Sequence, residues 1–184
     1  MKPPEIMRRP KSKISALLSE LTGGDRRSIG RSNVVVRMLL RDPARFEEII
    51  AGLSDDDPLV RMRCADVAEK VSLKHPEWLR PHKRKILRLA ALAAEQEMRW
   101  HLAQMVPRLT LDRGERRRAE AIMLGYLDDR SRIVKTFAMQ ALFDLAIDDK
   151  AQRQRFVPLF NELARSGSPA MRARARKLIR ALTP

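Results

Sequence analysis

Apolar and basic positions recur along the chain with a period near 37 residues. An apolar-basic pair stands at Val60-Arg61, Met98-Arg99, Val134-Lys135 and Met171-Arg172, with separations of 38, 36 and 37 residues. Four positions after the first member of each pair come Cys64, Leu102, Ala138 and Ala175. Seven after come Val67, Met105, Ala141 and Leu178, and eight after come Ala68, Val106, Leu142 and Ile179. Offsets of zero, four, seven and eight share one face of an α-helix, so each copy predicts a helix buried along that face. Upstream of each copy lies a second helical face, for instance Phe46, Ile49, Ile50 and Leu53, or Phe156, Leu159, Phe160 and Leu163. Two helices per period make a hairpin that buries its apolar faces against neighbouring copies.

The polar positions punctuate this pattern. Asp57, Glu95, Ser131 and Ser168 each precede the pair's first residue by three, where an N-cap belongs; three of them are good caps and Glu95 is a poor one. Asp42-Pro43, Asp57-Pro58 and Ser168-Pro169 set proline at a first helical position. Pro81 predicts a bend in the first helix of the second full hairpin, and Pro107 a stop or kink in its second helix. Ser12 is the expected cap of a short helix carrying Ile14, Leu17, Leu18 and Leu21, ended by Gly23-Gly24. Asn33 is the expected cap of another, in which Val36-Arg37 echoes the pair. These two form a truncated first unit.

The predicted fold is therefore all-α, a right-handed α-α superhelix or short solenoid of about four hairpins plus the truncated N-terminal unit. The units span about 12–41, 42–73, 76–109, 111–147 and 150–182, within one domain at 12–184. Residues 1–11, with Pro3, Pro4 and Pro10 and little apolar content, read as a flexible basic tail.

Composition agrees and adds a charge question. The chain has 184 residues, 44% hydrophobic and 4% aromatic, a balance that favours a packed helical core over a sheet. One cysteine excludes a disulfide framework and suits a reducing compartment. No secretory leader or membrane-length apolar run is visible, so the expected location is cytoplasmic, away from membranes. The net charge of +15 attracts polyanions. Arg26, Arg27 and Arg31 in the polar loop and Arg176, Lys177 and Arg180 near the C-terminus are the candidates for phosphate contact.

The stretch Leu53-Ser-Asp-Asp-Asp57-Pro-Leu-Val60-Arg61, with its alanine-rich core columns, resembles HEAT-type repeats, as does Leu127-Asp-Asp-Arg-Ser-Arg-Ile-Val134-Lys135. The resemblance covers roughly residues 42–182. Glu97 in the second full unit and Ser168-Pro169 in the fourth depart from the pattern. The resemblance implies that the basic column Arg61, Arg99, Lys135 and Arg172 pairs with acids of its own or a neighbouring unit, as a structural ladder. Asp57, Glu95, Asp129 and Asp66 are the expected partners. It further implies that second helices line a concave side.

No catalytic constellation is present: His75, His82 and His101 have no metal-ligand spacing, and no phosphate-binding glycine loop or nucleophile elbow occurs. Asp55-Asp56-Asp57, Asp128-Asp129 and Asp148-Asp149 fall at inter-helix turns, where acids stabilise the following helix. Neither an enzyme nor a metal or cofactor is expected. A helical wheel sets the concave face at offsets two, six and nine, opposite the core. Those columns supply Met62, Asp66, Trp100, Gln104, Thr136, Gln140 and Phe143 as a partner-binding surface. Tryptophan, methionine and phenylalanine there suit a protein or peptide partner, unless a neighbouring helix or the N-terminal segment covers Trp100. The expected function is a non-enzymatic scaffold. The alternative is nucleic-acid binding through the basic ends. Because some HEAT-like arrays are alkylpurine DNA glycosylases using groove aromatics and an acid, Trp100 and Asp66 would be the candidates for a remote enzymatic version.

Overall fold

The computed structural model describes residues 15–25, 28–147 and 149–182. These residues are helical throughout, with no strand among them. A short α1 (Ala16–Ser19) and α2 (Ser32–Arg41) precede four hairpins. The hairpins are α3 (Phe46–Gly52) with α4 (Pro58–Lys74), α5 (Lys83–Leu92) with α6 (Gln96–Met105), α7 (Arg113–Tyr126) with α8 (Arg132–Ala146), and α9 (Lys150–Ser166) with α10 (Pro169–Leu182). Within each hairpin the two helices pack together. The second helices also touch in series, α2 on α4, α4 on α6, α6 on α8 and α8 on α10.

The repeated core columns account for this packing. Val60, Cys64, Val67 and Ala68 are buried, as are Met98, Leu102, Met105 and Val106, and Val134, Ala138, Ala141 and Leu142. Burial of about 0.8 kcal/mol per methylene makes these columns the main driving force for stacking. Cys64 is one of them, and burial pushes its thiol pKa up to about 12.

Local starts follow the polar punctuation with three exceptions, the first being Asp42, which makes no cap hydrogen bond and precedes a 3₁₀ turn at Pro43–Arg45 before α3 begins. The Asp57 carboxylate accepts from Leu59 N at 2.8 Å, and Asp149 from Gln152 N at 3.1 Å. Ser131 and Ser168 oxygens accept more weakly from Val134 N and Met171 N. Asp112 forms a full capping box with Glu115 at the start of α7. Glu95 makes no cap hydrogen bond and is drawn instead to an arginine of the preceding unit. The expected Asn33 cap is displaced by two residues: Arg31 is at the cap position and α2 starts at Ser32, whose hydroxyl donates to Ile29 O at 2.7 Å. The expected Ser12 cap lies outside the described residues, as does the tail at 1–11. In the described part Ser15 caps α1, which ends at Ser19, before Gly23-Gly24.

Pro81 acts more strongly than a bend, Pro107 stops its helix as expected, and Pro158 is accommodated inside α9. Pro76–His82 is a 3₁₀ segment and the α-helix begins only at Lys83, because Pro81 lacks an amide hydrogen and restricts the residue before it. Likewise α6 ends at Met105 and Val106–Arg108 is 3₁₀ around Pro107.

Candidate functional site

The basic column resolves into a repeated clamp. Arg61 Nη1 donates to the carbonyls of Asp55 and Asp56 at 2.7 and 3.1 Å, in the turn before its own helix, while Nη2 meets the Glu95 carboxylate of the next hairpin. Arg99 repeats this with Ala93 O and Ala94 O at 3.1 and 2.6 Å and with Asp129 of the next hairpin at 2.5 Å. Arg172, in the last hairpin, keeps the turn contact, to Gly167 O at 3.3 Å. Lys135 makes no side-chain hydrogen bond or ion pair among the described residues, so the clamp is not repeated in the third hairpin. The acids that serve are Glu95 and Asp129. Asp57 is occupied as a cap, and Asp66 pairs with Lys70 at 2.7 Å instead.

The residues predicted for the concave face divide into two groups, and three of them are corrected by the structure. Met62, Asp66 and Phe143 are buried rather than open. Met62 and Asp66 lie beside the loop before α2. The wheel, computed for an isolated helix, places at the outside residues that this segment in fact covers. Phe143 joins the core where α8 is flanked by α6 and α10. Trp100, Gln104, Thr136 and Gln140 are half-buried. Gln104 bonds Trp100 O at 3.2 Å, and Thr136 bonds Arg132 O at 2.8 Å. Gln140 donates to Asp144 at 2.7 Å and accepts from Arg174 of the next second helix at 2.6 Å.

One cavity collects what remains. It has a volume of about 280 Å³ and is lined by Ser28, Ile29, Met62, Arg63, Asp66, Glu97, Trp100 and His101. Three predicted residues, Met62, Asp66 and Trp100, thus meet there. The Trp100 indole lies edge-on to His101, with centroids 5.7 Å apart. Gln104, Thr136, Gln140 and Phe143 do not line it.

Arg63, missed by sequence reasoning, builds the wall of this cavity. It is buried to 2% exposure with no carboxylate bonded to it. Its guanidinium instead donates to five backbone carbonyls: Leu21 at 2.9 Å, Thr22 at 3.2 Å, Gly23 at 2.6 Å, Asp25 at 3.2 Å and Ser28 at 3.2 Å. Gly23, Gly24 and Gly30 take positive φ, which lets the loop curl around the cation. A Cβ on Gly30 would stand 2.7 Å from Arg63 Cζ. The loop's glycines were the available signal, since three close together mark a turn wrapped tightly around something.

His101, also missed, is mostly buried, and its Nδ1 finds no hydrogen-bond partner. Burial pushes its pKa below the usual histidine value, against the opposing pull of Asp66 and Glu69. The unfolded chain therefore binds a proton at His101 more readily than the folded one, and stability is complete above the unfolded value near 6.5. It is lost as pH falls through the window between that value and the lower folded one. His101→Gln is expected to flatten the acid limb of the Tm-versus-pH profile, with little change at pH 8. An unchanged limb would show that other groups carry the acid sensitivity.

Of the predicted phosphate contacts, Arg26 and Arg27 lie outside the described residues. Arg31 is ion-paired with Glu20. Arg176, Lys177 and Arg180 are exposed on α10. No group of three or more His, Cys, Asp or Glu side chains among the described residues is placed to hold a metal ion. No helix among them is long and apolar enough to cross a membrane. Compared with known proteins, the chain matches no family model and no curated protein.

Proposed function

We propose that this chain is a HEAT-like, non-enzymatic binding module that takes a side chain of a protein or peptide partner into the cavity beside Trp100. The observation that carries this reading is the makeup of that cavity. Ile29, Met62 and Trp100 give apolar walls, and Asp66 and Glu97 place carboxylates beside them. Ile29 is 43% exposed and Trp100 half-buried, so the walls remain accessible. Rigid apolar pockets with few polar groups are where interface energy concentrates. The lining suits a side chain with an apolar stem and a cationic tip, lysine or arginine, with the stem on Trp100 and the tip toward Glu97, since Asp66 is already paired with Lys70.

The Arg61 and Arg99 clamps support the scaffold part of the reading, because they tie consecutive hairpins into a fixed frame. Selection from a random peptide library tests the site part. With Trp78→Phe leaving Trp100 as the only indole, selected peptides carrying lysine or arginine are expected to shift its emission. They should lose about tenfold or more in affinity against Trp100→Ala, a loss of about 1.4 kcal/mol. Peptides that bind Trp100→Ala as tightly as the parent would rule this cavity out.

A further inference from the structure

The first helices of the last three hairpins carry more cations than their ion pairs use. α5 opens Lys83-Arg84-Lys85 with Arg88 a turn later and holds no acid. α7 carries Arg113, Arg116, Arg117 and Arg118, and α9 carries Lys150, Arg153 and Arg155. All but Arg88 sit in the N-terminal halves, and those in the first turn lie where the helix dipole disfavours positive charge by about 0.3–1 kcal/mol each.

Intramolecular pairing consumes the acids of these helices and leaves the surplus cations unmatched. Glu115 is held by Lys83 at 2.7 Å, Glu120 by Arg155 at 2.9 Å and Glu162 by Arg165 at 2.9 Å. The cap carboxylates Asp112 and Asp149 are held by backbone amides. The same contacts show that the three basic helix starts lie side by side. Lys83 joins the start of α5 to α7, Arg155 joins α9 to α7, and Arg116 reaches the Leu145 carbonyl at the end of α8. Arg84, Arg88, Arg117, Arg118 and Lys150 remain exposed along this strip.

We infer that this strip, on the opposite helix of each hairpin from Trp100, is an interface for the sugar-phosphate backbone of double-helical nucleic acid. Three points choose that partner. The strip is a row of guanidinium and ammonium groups on rigid helices, which matches a regular phosphate ladder. At about 8–10 Å between packed helix axes, three units reach over about 16–20 Å, the rise of about five phosphates of one strand. The aromatic rings of these helices are turned inward: Tyr126 and Phe156 are buried, so no stacking platform for single-stranded bases accompanies the cations.

Fluorescence anisotropy with a labelled 20-base-pair DNA at a series of salt concentrations tests this. The edge variant combines Arg84→Gln, Arg117→Gln, Arg118→Gln and Lys150→Gln. A charge-matched control combines Arg37→Gln, Arg41→Gln, Lys74→Gln and Arg132→Gln, all exposed and away from the strip. The parent is expected to bind at 50 mM salt with a steep salt dependence. The edge variant should lose about tenfold or more and lower the log–log slope by up to about 3.6, at roughly 0.9 per phosphate contact for four contacts. The control should retain most of the affinity, and circular dichroism should show both variants folded. Equal loss in both variants would make the binding a consequence of net charge alone and overturn the proposal. So would preference for single strands, binding of anionic phospholipid vesicles without duplex binding, or no binding at 50 mM salt. The peptide assay at Trp100 is independent of every one of these outcomes.

Discussion

Arg63→Met is expected to cost about 3–5 kcal/mol of folding stability, because hydrogen bonds to a charged group contribute about 1.5–3 kcal/mol each and several are lost together. Methionine keeps the apolar volume and removes all the donors, so the carbonyls of Leu21, Thr22, Gly23, Asp25 and Ser28 lose their common partner at once. A buried polar group left unsatisfied costs about 1–3 kcal/mol, and only those carbonyls that the loop can turn out to water escape that cost. The loss falls on one region. The loop at 21–30 should open first, with faster amide exchange there, while α8 and α10 stay protected.

Arg63→Lys separates charge from geometry. An ammonium keeps the positive charge but presents three donors at one point, whereas the guanidinium spans carbonyls along both of its edges. Arg63→Lys should therefore fall between the parent and Arg63→Met in urea denaturation. If Arg63→Met lies within about 1 kcal/mol of the parent, the carbonyl cage is not what holds the N-terminal segment. Because Arg63 also lines the Trp100 cavity, peptide affinity should fall with loop opening.

Arg63 also shows where the sequence was legible and where it was not. The hairpin register could be read because core columns at offsets zero, four, seven and eight repeat in four copies, and burial treats each copy alike. Caps could be read where an oxygen sits three residues before the pair. Offset three carries Arg63, His101, Phe137 and Arg174, which share no chemistry and so form no visible column. Yet these residues flank the seam between successive second helices. Arg63 meets the loop before α2, His101 lies near Asp66 and Glu69 of α4, and Arg174 bonds Gln140 of α8. A helical wheel treats each helix as if only its hairpin partner buried it. Second helices are buried from three sides, by their own first helix and by both neighbours. That is why Met62, Asp66 and Phe143 are closed, and why the usable opening is confined to the gap around Trp100.

The same seam makes Asp129 the next most sensitive polar position. Its side chain is 7% exposed and serves two elements: one oxygen accepts from Ser131 N at 2.7 Å in the turn that starts α8, and the other meets Arg99 Nε at 2.5 Å from the previous hairpin. Asp129→Ala removes both, leaving a mostly buried guanidinium with only its turn carbonyls, and should cost about 2–4 kcal/mol. Asp129→Asn keeps an oxygen for Ser131 N while removing the charge facing Arg99, so it should recover part of that loss. The corresponding Glu95→Ala breaks a pair whose two side chains are 23% and 26% exposed. It has no cap to lose, and solvent screening holds its cost to about 1 kcal/mol. The expected order of stability in urea is parent, Glu95→Ala, Asp129→Asn, Asp129→Ala. Equal losses for Glu95→Ala and Asp129→Ala would mean that the clamp acts by charge alone. The ordered series would mean that its strength comes from the buried acid that caps one hairpin while holding the arginine of another.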